Sequence, residues 1–150
     1  MYLAAMYKVE IEVSGQPIGK ARPRFVRSGK TYTPAKTVDY ERRIHAAAWA
    51  SMVKQDVYQT LRPVSVEIIA FMQIPSSWSK VKQLHAEYNA ISHTSKPDLD
   101  NIVKVALDGL QGTLFKSDAQ VTSIKARKMF CHPDRGAFLY MAVSWTEEGE

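Results

Sequence analysis

At 150 residues, 45% apolar and 23% charged, the chain has the size and composition of one soluble globular domain, spanning residues 1–150. Its one cysteine, Cys131, excludes an intrachain disulfide and a cysteine-rich zinc site. No apolar run nears the ~20 residues that span a bilayer and no signal-peptide pattern opens the chain, so a soluble, cytoplasmic protein is expected.

Tyr7, Val9, Ile11 and Val13 alternate with Lys8, Glu10 and Glu12, the period-two pattern of a strand with one wet face. Residues 15–36 hold three prolines and three glycines and read as a loop, with a short hairpin about Ser28-Gly29-Lys30. A helix is predicted from Thr37 to Val53, with Asp39 and Glu41 in its first turn and Tyr40, Ile44, Ala47 and Ala48 as its apolar stripe. Val64–Met72 is apolar on both faces apart from Ser65 and Glu67, which predicts a central strand ended by Pro75. A short basic helix or loop begins at Ser77 and runs to about Tyr88.

Asp98 to Gln111 is predicted as a second main helix that buries Ile102, Val103, Ala106, Leu107 and Leu110 and stops at Gly112. Val121–Phe130 and Ala137–Trp145 alternate as strands. Between them Pro133-Asp134-Arg135-Gly136 is a turn sequence, so the two are expected to pair as an antiparallel hairpin, with Glu147 to Glu150 a frayed tail. The order predicts an α+β fold: a mixed, mainly antiparallel four-stranded sheet packed by two main helices and a short one.

The net charge of +5 is unevenly spread. Between Lys20 and Arg43 stand Lys20, Arg22, Arg24, Arg27, Lys30, Lys36, Arg42 and Arg43 against Asp39 and Glu41, a surplus of six that exceeds that of the whole chain. A clustered excess fits a polyanionic partner through phosphate neutralisation, although a solvated basic loop has the same composition.

Against this basic background, Lys96-Pro97-Asp98-Leu99-Asp100-Asn101-Ile102-Val103-Lys104 sets two carboxylates at a helix start and a lysine on the same face, i+4 from Asp100. Ser117-Asp118-Ala119-Gln120-Val121 brings a third acid into the next strand. One aspartate as an ordinary helix cap and another merely solvated would give the same spacing. Carboxylates with an amine are also what holds a hard divalent cation against a phosphodiester, and with the basic surface this reads as a metal-dependent DNA nuclease. Asp108, about 80° around the helix from Asp100 by the 3.6-residue period, is expected to be a structural or supporting acid.

Reach constrains Asp118. The helix would be about 20 Å long, and the six steps from Gly112 to Asp118 span at most about 20 Å. Asp118 then returns to Asp98 only along a nearly straight connector, the preferred arrangement, or else joins the site across a dimer interface.

At these residues the chain closely resembles the RusA family of Holliday-junction resolvases, particularly its phage and prophage members. The matching segments are Gly19-Lys20-Ala21-Arg22-Pro23-Arg24, Tyr32-Thr33-Pro34-Ala35-Lys36-Thr37, Pro75-Ser76-Ser77-Trp78-Ser79-Lys80, His93 to Asn101 and Asp118-Ala119-Gln120-Val121. The resemblance implies a homodimeric endonuclease, dependent on Mg²⁺ with Mn²⁺ able to substitute, that resolves four-way DNA junctions by paired symmetric nicks. It carries over Asp98, Asp100 and Asp118 as catalytic acids and metal ligands, and Lys104 as the catalytic lysine. The family usually has two adjacent aspartates ahead of the Ala/Ser-Gln pair; here the first is Ser117. Lys20, Arg22, Arg24, Arg27, Lys30, Lys80, Lys82 and Lys96 are the expected contacts to backbone phosphates.

Three other features compete for attention. Gly15 to Lys20 is one residue short of a phosphate-binding loop and has Ala21 where Ser or Thr would touch magnesium. Cys131, His132 and Asp134 fit a solvated turn better than zinc-site spacing. Trp78 suits a stacked base and a half-buried anchor equally. Two rival functions remain at this stage: a non-catalytic DNA-binding protein, and a metal-dependent nuclease acting on forks, flaps or RNA.

Overall fold

The computed structural model describes residues 5–32 and 34–147, without the side chains of Arg24 and Tyr32. The expected tail at Glu148–Glu150 lies outside the described residues, while Glu147 closes the last strand. In chain order the elements are β1 (Ala5–Ser14), β2 (Arg24–Phe25), β3 (Thr31–Tyr32), α1 (Ala35–Gln55), β4 (Val64–Met72), α2 (Lys80–Glu87), α3 (Leu99–Leu110), a 3₁₀ turn (Asp118–Gln120), β5 (Val121–Phe130) and β6 (Phe138–Glu147).

The main sheet runs β1-β6-β4-β5, antiparallel except for the parallel β4–β5 pair, which makes the fold α+β with a mixed, mostly antiparallel sheet. A parallel pair cannot be joined by a tight turn, and the crossover from β4 to β5 carries both α2 and α3. This overturns the expected β5–β6 hairpin. The turn after Cys131 is present, with the Arg135 and Gly136 amides donating to His132 O at 3.1 and 3.0 Å, but β4 lies between the two strands it connects. The physical reason is the apolar character of β4: with Val64, Val66, Ile68, Ala70 and Met72 buried, it takes a neighbour on each side. β5, with Thr122, Ser123, Ile124 and Lys125 exposed, is left at the edge.

One sheet face presents Val9, Ile11 and Val13 of β1, alternate residues of β4 and Leu139, Met141 and Val143 of β6 to the helices. α1 meets it with Thr37, Tyr40, Ile44, Ala48 and Met52, a single stripe at helical spacing. It starts two residues earlier than expected, so its first turn holds no acid. α3 is the more strongly amphipathic helix and buries Ile102, Val105, Ala106, Gly109 and Leu110. Gly109 sets how closely α1 and α3 approach. A Cβ there would lie 2.6 Å from Ile44 Cγ2 and 3.1 Å from Glu41 O. A smaller cluster of Ile74, Ala86 and Phe130 seats α2, with Trp78 half-buried edge-on against Phe130 at 5.5 Å. Trp78 is therefore an anchor, and Lys82 covers its ring at 3.9 Å. Among the described residues no helix is long and apolar enough to cross a membrane.

Candidate active site and its basic surround

α3 begins where Pro97, after a cis Lys96–Pro97 peptide, turns the chain into Asp98. Asp98 is the N-cap residue with extended backbone, yet its side chain makes no capping bond. Both of its carboxylate oxygens instead accept from Lys96 Nζ at 2.9 Å. That hydrogen bond holds the Asp98 carboxyl below its ordinary range, opposed by desolvation and aided by the Lys96 and Lys128 charges. Asp100 follows in the first turn, exposed and at the helix end that favours negative charge. Lys104 is exposed one turn further on, i+4 from Asp100 and on the same face. Neither Asp100 nor Lys104 has a side-chain partner among the described residues.

The turn is held from two sides. On one, Gly19 presses against it: a Cβ at 19 would sit 2.9 Å from Pro97 Cβ and 3.0 Å from Asn101 Cβ, and the Lys20 amide donates to Asn101 O at 2.8 Å. On the other, Lys128 of β5 donates from Nζ to Ser95 O at 2.9 Å and Pro97 O at 3.1 Å. Gln16–Gly19, Lys36, Lys96 and Pro97 line a groove beside the acids. The sequence reading missed the placement of Lys128; its alternation within a strand gives no hint of which loop it reaches. Gly19 stood out only as part of a motif, and a glycine ahead of a basic run was the available signal for close approach.

Asp118 lies elsewhere. Ser117 caps the 3₁₀ turn, its Oγ accepting from the Ala119 amide at 3.2 Å. Serine is among the strong N-cap residues, and here it does that capping work. Gln120 completes the arrangement. Its Oε1 accepts from the Lys116 and Ser117 amides at 2.9 and 3.0 Å, and its Nε2 donates to Thr60 O and Arg62 O, both at 3.0 Å. The Asp118 amide donates to Gln111 Oε1 at 3.1 Å.

Gln111 is the C-cap of α3, so Asp118 sits at the opposite end of that helix from Asp98. Twelve residues at 1.5 Å each put about 18 Å between the two ends. The connector does not run back along the helix. It folds on itself, the Gly112 amide donating to Phe115 O at 2.9 Å and the Thr113 amide to Leu110 O at 3.0 Å. The preferred arrangement, with Asp118 beside Asp98 in one chain, is thereby overturned. Leu114 and Phe115 are wholly buried, and a straight connector would have stripped both from the core. Among the described residues no three acidic, histidine or cysteine side chains are grouped to hold a metal ion.

The basic residues divide into two kinds. Lys20 lies between Glu41, hydrogen-bonded to its ammonium at 2.5 Å, and Asp108 at 3.0 Å. Burial would lower its pKa, but the bonds and charges of those two acids outweigh that and hold it above its ordinary value. Its charge is thus answered within the fold, and Asp108 is the structural acid expected. Arg22, Arg27, Lys30, Lys36, Lys80, Lys82 and Lys96 are exposed. The Arg24 side chain is outside the described residues. In the turn after β5, Cys131 is buried and His132 pairs with Glu87 at 3.1 Å.

The family described as endodeoxyribonuclease RusA matches residues 14–135, a span that holds Asp98, Asp100, Lys104 and Asp118. The chain is also 32% identical over 141 residues to the uncharacterized protein YqaN of Bacillus subtilis (strain 168), covering 91% of this chain and 97% of that protein.

Proposed function

The chain belongs to the RusA family of endodeoxyribonucleases, and we propose that it is a divalent-metal-dependent, homodimeric nuclease that resolves four-way DNA junctions in the cytoplasm by paired symmetric nicks. The observation that carries this reading is the exposed pair Asp98 and Asp100 at the start of α3, with Lys104 on the same face.

The donor set fits a hard cation such as Mg²⁺ in part. Asp98 and Asp100 offer carboxylate oxygens, and Asp98 already binds a cationic group, the Lys96 ammonium, through both of its oxygens. Among the described residues one chain brings only these two acids to that end of α3. The third, Asp118, would come from a second copy, which makes the site composite and the dimer obligatory for cutting. A divalent cation held there, magnesium or manganese, would supply Lewis acidity toward the scissile phosphate and its attacking water.

The chain's own groups do the rest. Asp98 and Asp100 fix the donor geometry on a rigid helix end, tied down by Gly19 on one side and Lys128 on the other. Lys104, unpaired among the described residues, stabilises negative charge that builds on the phosphoryl oxygens during attack. Lys36 and Lys96 line the adjoining groove, and Arg22, Arg27 and Lys30 extend it, contacting phosphates that position DNA without reading its sequence. Lys80 and Lys82, exposed on α2, offer a second patch. A junction presents equivalent strands about a twofold axis, and a C₂ dimer places two composite sites to match.

The test is incubation of the purified protein with labelled linear, forked and four-way DNA, in Mg²⁺, in Mn²⁺ and in EDTA. Four-way DNA should be nicked in either metal and spared in EDTA. Asp100→Asn should abolish cutting while junction binding persists. Binding with no cleavage in any metal would make the protein a DNA-binding module, and preference for forks or flaps would move it to another nuclease class.

A further inference from the structure

We propose that Phe25 is a positioning residue for junction cleavage, its ring stacking on a base exposed at the branch point. This deepens the nuclease reading and rests on it. Phe25 is 81% exposed. It lies on the β2–β3 hairpin, paired with Thr31, and the turn is closed by the Val26 amide donating to Lys30 O at 3.0 Å and the Gly29 amide to Val26 O at 2.9 Å. Gly29, at φ +82, permits that turn. A phenyl ring held in water on a small hairpin costs hydration and adds nothing to the core. Its one asset is an uncommitted aromatic face.

Two observations say what covers it. The first is charge. No carboxylate occurs between Glu12 and Asp39, and Arg22, Arg27 and Lys30, within five residues of Phe25 in the chain, are exposed. A basic, acid-free finger tipped by an aromatic is complementary to nucleic acid: the cations take phosphates and the ring takes a base. The second is placement. The hairpin is rooted where the Ala21 amide donates to Thr37 Oγ1 at 3.3 Å and the Lys20 amide to Asn101 O at 2.8 Å. Asn101 follows Asp100, so the finger leaves the turn that presents the acids. Four steps from Ala21 to Phe25 span at most about 14 Å, a reach of a few nucleotides from the scissile phosphate. Continuous duplex offers no open base face at that distance, whereas the branch point of a four-way junction does. Tyr58 and Tyr88 are also exposed, but they stand outside this basic window, and the Tyr58 hydroxyl is bound to Asp56.

The experiment compares the full-length protein with Phe25→Ala, Phe25→Leu and Phe25→Tyr on a four-way junction carrying 2-aminopurine at the branch point. In EDTA, where cutting cannot interfere, wild type and Phe25→Tyr should quench the fluorophore while the alanine and leucine variants leave it unchanged. In Mg²⁺ the alanine and leucine variants should lose about 5- to 150-fold in kcat/KM on the junction, the range set by one base–aromatic stack, with tyrosine restoring it. Affinity for linear duplex, thermal midpoint and sedimentation should stay as in wild type. Leucine matching phenylalanine, an alanine variant that quenches and cuts normally, or a change of oligomeric state would overturn the proposal. A wild type that binds and quenches but never cuts would sink the nuclease reading and leave the stacking claim standing. No binding to the junction at all would sink both.

Discussion

The proposed composite site makes a quantitative prediction about mixed dimers. In one chain Asp98 and Asp118 flank opposite ends of α3, a helix about 18 Å long. Oxygens that share a magnesium ion lie about 2.1 Å from it, hence within roughly 4 Å of one another. An aspartate side chain reaches only a few ångströms from its backbone, so rotamer changes leave most of the gap open. Asp98→Asn and Asp118→Asn should each be inactive alone. When equal amounts are mixed and allowed to re-associate, about half of the dimers are heterodimers. Each heterodimer holds one composite site with both substitutions and one with neither, so about a quarter of all sites in the mixture are intact.

Nicking of one strand should therefore return to about a quarter of the wild-type rate. Paired nicking should stay absent, because no dimer holds two intact sites. A supercoiled plasmid with an extruded cruciform separates the outcomes: single nicks give the open circle, paired nicks the linear form. Native mass spectrometry confirms that heterodimers have formed. If they form and the open circle stays absent, the reasoning fails, since a site built within one chain predicts no recovery from this mixture.

Gly109→Ala places a methyl group 2.6 Å from Ile44 Cγ2 and should destabilise by about 1–3 kcal/mol through overpacking, offset by up to about 1 kcal/mol of helix propensity. A thermal midpoint lower by a few degrees is expected, and a rise would show that the helices can part freely. Gln120→Ala removes the bonds that tie the Asp118 turn to Thr60 and Arg62, and should cost about 1–3 kcal/mol in urea unfolding while reducing cleavage more than junction binding. By NMR the Asp98 carboxyl should titrate below its ordinary 3.8, and Lys96→Met should move it back up. Because folding lowers this pKa, the pair's contribution is present above the ordinary carboxylate range and lost as pH falls through the lowered value.

The local elements were readable because each rests on a short-range pattern. Val9, Ile11 and Val13 announce β1, and Tyr40, Ile44 and Ala48 announce α1, by spacing alone. The α3 acids were legible for the same reason, since Pro97 and the apolar period after Asp98 fix where the helix begins. What was not legible is long-range. The turn between β5 and β6 looks like a hairpin turn because the sequence of a turn does not record whether a third strand enters between its arms; the two-sided apolar face of β4 was the clue. Asp118 was misplaced because chain length allowed a straight connector, while burial of Leu114 and Phe115 decided for a folded one. Lys20 shows the same limit in charge. It reads as one more cation in a basic run, and only the packing of α1 against α3 reveals that Glu41 and Asp108 converge on it.

That convergence explains how a chain with so concentrated a positive charge folds around its own nuclease end. Lys20 links the loop to α1 through Glu41 and to α3 through Asp108, so the root of the basic finger is fixed by an ion-pair triad. Partly exposed pairs of this kind add little stability, and the value of the triad is in register: it holds the loop where the Lys20 amide meets Asn101 and Gly19 meets Pro97. Beyond the root, Arg22, Arg27 and Lys30 stay exposed in a stretch free of carboxylates. With Asp118 at the far end of α3, the composite site we propose gives a single copy the residues to grip DNA but not the full donor set to cut it. Cutting would then require a second copy, which brings the twofold symmetry that a four-way junction shares. Splitting the donor set along the length of one helix would in this way couple the chemistry to the geometry of the substrate.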